Sequence, residues 1–363
     1  MSVKESTFLP ELASVSLRDQ VEGRIRYVSD LHLQPGKPKY FVARTLLHHL
    51  DDLNPILWSE PRSRAEINAV TASSYSAFHR AYKYDTWENL YDEGLSSMAD
   101  YERVWSNMLD NGYNQRIITK SFWEKPTSYA PSRTPVFYHI INDFFEKPEN
   151  HQPLVIVDLG SGPAHTIPTL NTARDLVVKP VGIPIADELV SIGAEIPIAA
   201  GISVDKDDRN FAIVKALLNT EDPVLAESLR SHLYRKIYKN KNSMVEIVTD
   251  IAQYPEVCYK SVTKWANRLS GRGNADVILS SFFRYQLPTD SQTQDDYWQL
   301  ITRLLREGGI LIEVGNELVI PQPQMRYNVH VFEKKDGNLV HRGIPFVIDD
   351  EGKVLAVDQS YFT

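Results

Sequence analysis

The stretch LVIVDLGSGP, residues 154 to 163, constrains the fold of this chain more than any other. An apolar run leads into an acid and then a Gly-x-Gly turn, which is how a buried parallel strand ends where its backbone bends sharply toward a ligand. Glycine permits that close approach because it has no side chain. We expect such a turn to leave N–H groups free for polar or anionic groups of a ligand. An ordinary turn can show the same pattern, so the order of the following elements must decide.

Strands and helices alternate along the chain after this stretch. The further predicted strands are 198–204, 244–248, 276–279 and 310–314, followed by β-like segments at 328–332 and 345–348. Alternation of this kind predicts a parallel sheet with right-handed crossovers. The tight-turn sequences KDGN at 335–338 and DEGK at 350–353 indicate that the sheet ends with antiparallel pairing. The predicted fold class is therefore α/β, with a mostly parallel sheet.

The region before the central strand has a helical pattern. Apolar residues recur at helical spacing from Pro38 to about Pro148, as at Val42, Leu46 and Leu50. Many aromatic residues lie in this region, and they serve either a core or an apolar substrate pocket. The predicted domains are a helical lid or substrate domain at 1–150 and a sheet domain at 151–363.

Composition argues against several classes of protein. A net charge of -8 provides no long-range attraction for nucleic acid or an anionic membrane. A single cysteine, Cys258, rules out an intramolecular disulfide and a cysteine-rich metal site. Asp30 and His32 follow a short apolar run as metal ligands do in some phosphoesterases, but the companion motifs are absent, so no metal is expected. We predict neither secretion nor membrane insertion, and hence a cytoplasmic protein.

The residues that follow the predicted strands indicate a binding site. A ligand in an open α/β sheet lies across the carboxyl ends of the strands. An acid after the second strand can accept hydrogen bonds from both hydroxyls of a ribose, and an acid after the third can accept from an adenine amino group. The candidate residues at these positions are Asp158, Gly160, Ser161, Gly162, Asp205, Asp250, Ile251, Ser280 and Phe282.

This ordered set resembles the class I S-adenosylmethionine-dependent methyltransferases over about residues 133–319, with no subfamily identified. A helix that ends in Gly308-Gly309 before an apolar strand adds to the resemblance. It implies a Rossmann-like sheet with S-adenosylmethionine as the cofactor. His165 stands where the third glycine of the dinucleotide fingerprint would be, which argues against NAD.

The resemblance also implies a role for each candidate residue. The Gly160 to Gly162 turn would contact the methionine part of the cofactor, Asp158 would hold that turn, and Asp205 would bind the ribose. Asp250 and Ile251 would bind the adenine, and Ser280 and Phe282 would face the side from which the methyl group leaves.

The position of the ribose acid has two interpretations. Asp205 lies 43 residues after Gly162, whereas this kind of unit usually places the acid about 20 residues on. Either an insertion precedes a strand that ends at Asp205, or the second strand is 181–185 and the acid is Asp187 or Glu188. Asp205 is preferred because GISVD, residues 201–205, is the cleaner strand end.

The predicted activity is methyl transfer to an oxygen or nitrogen of a small-molecule acceptor, bound between the helical lid and the strand ends. Positioning supplies most of the catalysis in such a displacement. If the acceptor must lose a proton, the candidate bases are His165, Tyr138, His139 and Tyr285.

Two other functions compete with this one. A basic run at 230–241 with interleaved tyrosines would suit an RNA- or ribosome-associated methyltransferase. A non-catalytic partner subunit with the same fold is the third possibility. The sequence does not determine the oligomeric state.

Overall fold

The computed structural model describes residues 16–31, 33–62, 64–82, 95–124, 133–145, 152–171, 195–219, 227, 229, 243–281, 283–284, 287–288, 290–315, 327–348 and 354–362. The chain divides into two units. The first comprises Met1–Pro126 with Glu221–Pro223, and the second comprises Thr127–Thr220 with Val224–Thr363. The helix that precedes the central strand belongs to the second unit, because it packs into the core of the sheet.

The described part of the first unit is helical. Its helices are α1 (Leu17–Leu31), α2 (Pro38–His48), α3 (Arg64–Tyr82), α4 (Met98–Leu109) and α5 (Gly112–Ser121). Helix α4 begins at a capping box, in which Ser97 and Asp100 each accept a hydrogen bond from the other's backbone N–H. Pro38 stands at the start of α2, where its missing N–H has no helical partner to lose.

Aromatic side chains fill the core of this unit. Phe78 of α3 stacks on Trp105 and Tyr101 of α4, with ring centroids 5.4 and 5.9 Å apart. Trp105, Tyr101 and Phe122 are almost completely buried. These buried aromatic residues therefore serve packing, while Trp87 lies outside the described residues.

The second unit is built on one sheet. Its strands are β1 (Leu154–Leu159), β2 (Ile198–Asp205), β3 (Met244–Val248), β4 (Ala275–Ser281), β5 (Leu305–Gly315), β6 (Tyr327–Lys335), β7 (Asn338–Ile348) and β8 (Val354–Val357). The strand order is β3-β2-β1-β4-β5-β6-β7-β8. The five strands from β3 to β5 in this order are parallel, and β6, β7 and β8 are antiparallel to their neighbours. The predicted α/β class and the antiparallel end of the sheet are confirmed.

Helices cover both faces of this sheet. They are α6 (Arg133–Phe144), α7 (Thr166–Thr169), α8 (Arg209–Asn219), α9 (Pro255–Ser270) and α10 (Ser291–Leu304). Apolar residues of α6 pack with Ile156 and Leu279 on one face, called here the α6 face. Residues of α9 and α10 pack with Val157 and Ile278 on the other, called the α9–α10 face. Successive strand residues point to opposite faces, so each strand contributes to both cores.

The Gly308-Gly309 pair lies elsewhere than its sequence context indicated. Helix α10 ends at Leu304, and β5 begins directly at Leu305, so the two glycines lie inside the strand and do not close the helix. The register against β4 shifts there, from the pair Ala275–Leu305 to the pair Val277–Ile310. Gly308 has a φ of 70°, which suits the irregular backbone of such a bulge.

The topology places a crevice at the carboxyl ends of the central strands. β1 is flanked by β2 on one side and by β4 on the other, so the chain leaves β1 in one direction and later returns on the other side. A reversal of this kind opens a crevice at the carboxyl ends of the two central strands, where ligands of such sheets bind. Among the described helices, none is long and apolar enough to cross a membrane.

Candidate functional site

The glycine turn after β1 is held by the protein itself. Gly160 and Gly162 have φ values of 69° and 51°. The N–H groups of Gly160 and Ser161 both donate to the carbonyl of Val204, and that of Ala164 donates back to Ser161. The expectation that this turn leaves N–H groups free for an anion is therefore wrong for these positions. The N–H groups of Gly160 and Ser161 instead join the turn to β2.

Asp205 completes this connection. It is the last residue of β2, and its Oδ2 accepts the N–H of Gly162 at 2.8 Å while its Oδ1 accepts the N–H of Asp207 at 3.1 Å. Burial raises the pKa of Asp205, and the two backbone hydrogen bonds oppose that rise. The second strand therefore ends at Asp205, beside the glycine turn. Asp187 and Glu188 lie outside the described residues.

Asp158, the penultimate residue of β1, is a buried acid that can accept a further hydrogen bond. Its residue exposure is 3%, and the Thr166 side chain donates a hydrogen bond to its carboxyl group. Its Oδ2 and the Oγ of Ser161 are buried without a hydrogen-bond partner among the described residues. Burial raises the pKa of Asp158 to about 7, with a smaller contribution from the charge of Asp205. A ligand that donates hydrogen bonds or carries positive charge would complete this site.

A buried arginine lies at the same crevice. Arg133, at the start of α6, is 8% exposed, and its Nη1 donates to the Oγ of Ser281 at 3.2 Å. Ser281 ends β4 and points to the α6 face, as Asp158 does. Sequence reasoning did not select Arg133 as a site residue. The available signal was a cation at the start of the mostly apolar helix that leads to β1.

Ser280 points away from this group. It is fully buried, and its Oγ lies 2.9 Å from the hydroxyl of Tyr297 in α10. Because strand residues alternate, Ser280 belongs to the α9–α10 face, and Ser281 is the β4 residue that faces the crevice. The expectation that Ser280 faces a ligand fits the structure less well than the same role for Ser281.

The residues after β3 mainly stabilise a turn and the core. Asp250 is half-buried, and its Oδ1 accepts the N–H groups of Ala252 and Gln253 at 3.0 and 3.2 Å, which closes the turn before α9. Ile251 is 3% exposed and packs in the core of the α9–α10 face. Asp250 keeps acceptor capacity at its other carboxylate oxygen, whereas little of Ile251 remains open to a ligand.

An aromatic residue covers the glycine turn. Phe282 lies outside the described residues, but the side chain of Phe283 lies directly against Gly160. A Cβ atom added to Gly160 would come within 2.5 Å of Phe283 Cδ2. Phe283 was not among the residues selected from the sequence, and it packs against the core of the α9–α10 face while its ring lies against Gly160.

The candidate bases differ in their surroundings. Tyr138 is completely buried in the core of the α6 face, and His165 is 7% exposed beside the glycine turn. His139 is half-buried, and its burial lowers its pKa, which favours the neutral imidazole that can accept a proton. Tyr285 lies outside the described residues. The geometry does not single out one of them.

The structure describes only part of two other sequence features. Asp30 pairs with Arg44 at 2.9 Å, and His32 lies outside the described residues. In the part of the chain that the structure describes, no group of three or more His, Cys, Asp or Glu side chains could hold a metal ion. The basic run at 230–241 is not among the described residues.

Comparison with known proteins finds structural neighbours alone. No protein-family model and no curated protein sequence matches the chain. The chain is similar to a putative class I S-adenosylmethionine-dependent methyltransferase of Listeria monocytogenes, with 11% identity, coverage of 88% of this chain and 89% of that one, and a TM-score of 0.30. It is also similar to an O-methyltransferase family protein of Burkholderia thailandensis, with 11% identity, coverage of 88% and 83%, and a TM-score of 0.29.

A third neighbour is the trans-methyltransferase CalH, solved with S-adenosylhomocysteine, with 13% identity, coverage of 82% and 70%, and a TM-score of 0.30. These values describe a distant likeness, from which no activity follows. The strand order and the residues at the crevice are properties of the chain itself. By that strand order, with its reversal between β1 and β4, the second unit belongs to the doubly wound, Rossmann-like α/β folds.

Proposed function

We propose that this protein is an S-adenosylmethionine-dependent methyltransferase that acts on a small molecule. The observation that supports this most is the chemistry of the crevice. The N–H groups of Gly160, Ser161 and Gly162 are used internally, while the buried Asp158 has an acceptor oxygen without a partner. The crevice therefore suits a ligand that brings donors or positive charge.

S-adenosylmethionine has the groups that this crevice would complement. Its ammonium group can donate to Asp158, its ribose hydroxyls can donate to Asp205, and its carboxylate can accept from Arg133. A dinucleotide would instead bring a pyrophosphate toward Asp158 and Asp205. Without free backbone N–H groups at the turn, that negative charge would be repelled.

The chain's own residues would contribute mainly by binding and orientation. When bound, the cofactor supplies an electrophilic methyl group on its sulfonium. Phe283 would exclude water on the side of the glycine turn, and the crevice would hold the acceptor oxygen or nitrogen in line with that methyl group. A protonated acceptor would also need a base, for which His165, His139 and Tyr138 are the candidates among the described residues.

Titration calorimetry with S-adenosylmethionine, S-adenosylhomocysteine and NAD tests the cofactor. We expect micromolar binding of the first two and no heat with NAD, because only the first two bring donors without a pyrophosphate. Binding of NAD alone would refute the proposal.

Replacement of Asp205 by alanine tests the ribose contact. We expect S-adenosylhomocysteine to bind more weakly by about 1 to 3 kcal/mol, since the ribose hydroxyls lose their acceptor. Asp187→Ala is the comparison variant, measured by the same titration, and it should bind nearly as the wild type does. A larger loss for Asp187→Ala would place the ribose acid in the segment 172–194.

A further inference from the structure

A buried carboxylate lies behind the crevice, on the α9–α10 face. Glu313 of β5 is 1% exposed, and its Oε1 accepts from Arg284 Nε at 2.9 Å and from the hydroxyl of Tyr297 at 3.1 Å. Glu313 is also the Cα partner of Ser280 across β4 and β5. The group joins β4, the segment after β4, β5 and α10.

The chemistry of this group determines which hydroxyl donates each hydrogen bond. A carboxylate beside an arginine accepts hydrogen bonds, so the single proton of the Tyr297 hydroxyl goes to Glu313 and the Ser280 hydroxyl donates to Tyr297. Burial and the nearby Glu313 raise the pKa of Tyr297 well above its ordinary value, so this hydroxyl stays protonated. The guanidinium of Arg284 also lies 5.2 Å from the ring centre of Trp298.

The location of the Glu313–Arg284 ion pair is more informative than its contribution to stability. A buried ion pair stabilises a fold little more than apolar residues of similar volume would. Here it acts on the segment that leaves β4 at the crevice. Arg284 directly follows Phe283, the residue that lies against Gly160, and Tyr297 has its ring centre 6.2 Å from that of Phe283. Glu313 thus holds both the residue that follows Phe283 in the chain and a tyrosine whose ring lies near that of Phe283.

We propose that Glu313 is a positioning residue that, through Arg284 and Tyr297, holds Phe283 against the glycine turn and so sets the shape of the cofactor pocket. This inference rests on the proposed function for its effect on cofactor binding. The restraint on Phe283 itself does not depend on any ligand.

The test is Glu313→Gln in the full-length chain, which keeps the side-chain volume and removes the charge that holds Arg284. We expect faster hydrogen exchange in the peptide that spans residues 158–164, because Phe283 no longer covers it. We also expect at least about a tenfold loss of affinity for S-adenosylhomocysteine. Arg284→Gln breaks the same ion pair by removing its partly exposed member. It replaces Glu313→Gln as the test variant if Glu313→Gln does not fold.

Two further variants separate positioning from a general loss of stability. In a Phe283→Ala background, Glu313→Gln should add little to the loss of affinity, because its effect passes through Phe283. Asp276→Asn is the matched control, since Asp276 is a fully buried acid paired with Arg272 and Arg306 at the other end of β4. This control should lower Tm and leave the exchange of 158–164 and the affinity unchanged.

Each outcome decides a separate claim. Unchanged exchange of 158–164 in Glu313→Gln and Arg284→Gln would overturn the inference, and so would fully additive losses in the Phe283→Ala background. A wild-type protein that does not bind S-adenosylhomocysteine would refute the proposed function, while the exchange data would still decide whether Glu313 holds Phe283.

Discussion

Replacement of Gly160 by alanine is expected to abolish cofactor binding and to destabilise the fold. The φ of 69° at this position costs an L-residue about 1 to 2 kcal/mol. The added Cβ would also lie 2.5 Å from Cδ2 and 2.8 Å from Cβ and Cγ of Phe283, so the aromatic ring must move. Overpacking of this kind costs about 1 to 3 kcal/mol more. Denaturant unfolding and calorimetric titration with S-adenosylhomocysteine measure the two effects.

Gly271→Ala is the matched control for this variant. Gly271 ends α9 with a φ of 74°, and a Cβ added there would meet nothing within 4 Å. It therefore carries the backbone penalty without the contact, and it should bind the cofactor as the wild type does. If Gly160→Ala lost no more stability than Gly271→Ala, the close contact with Phe283 would be refuted.

Asp158→Asn is expected to stabilise the free protein at alkaline pH. The folded-state pKa is about 7, compared with an ordinary value of 3.8. Between these two pH values the unfolded chain has released this proton, whereas the folded chain still holds it. The wild-type free energy of unfolding therefore falls as pH rises from 3.8 to about 7. The loss is complete above that range and amounts to at most about 4 kcal/mol. Asparagine does not ionise, so the variant should keep this stability.

Denaturant unfolding of both proteins near the two ends of this pH range measures the effect. We expect similar stability at the acidic end and a more stable variant at the alkaline end. An identical pH dependence of the two proteins would contradict the assignment of this titration to Asp158.

The same substitution should weaken cofactor binding. A hydrogen bond between an ammonium group and a buried carboxylate contributes about 1.5 to 3 kcal/mol, and asparagine lacks the charge for it. Wild-type affinity for S-adenosylhomocysteine should rise as pH increases through the folded-state pKa of Asp158, about 7, while that of the variant should not. A variant with unchanged affinity would show that Asp158 serves the fold alone.

The sequence by itself determined the central strands and their alternation with helices. The apolar run of β1, the acid that ends β2 and the regular alternation with helices depend on local patterning, which is readable because strand residues alternate between faces and helical ones recur each turn. The strand that ends at Asp205 and the antiparallel finish of the sheet were predicted for this reason, and the structure places both as expected.

Tertiary structure alone decided which groups meet at the crevice. The hydrogen bond from Arg133 to Ser281 spans 148 residues of the chain, and the one from Gly162 to Asp205 spans 43. A shift of one residue also decides the face of a strand, which separates Ser281 at the crevice from Ser280 in the opposite core. Local propensities carry no information on such partners, because the register of neighbouring strands and the packing of α6 bring them together only in the folded sheet.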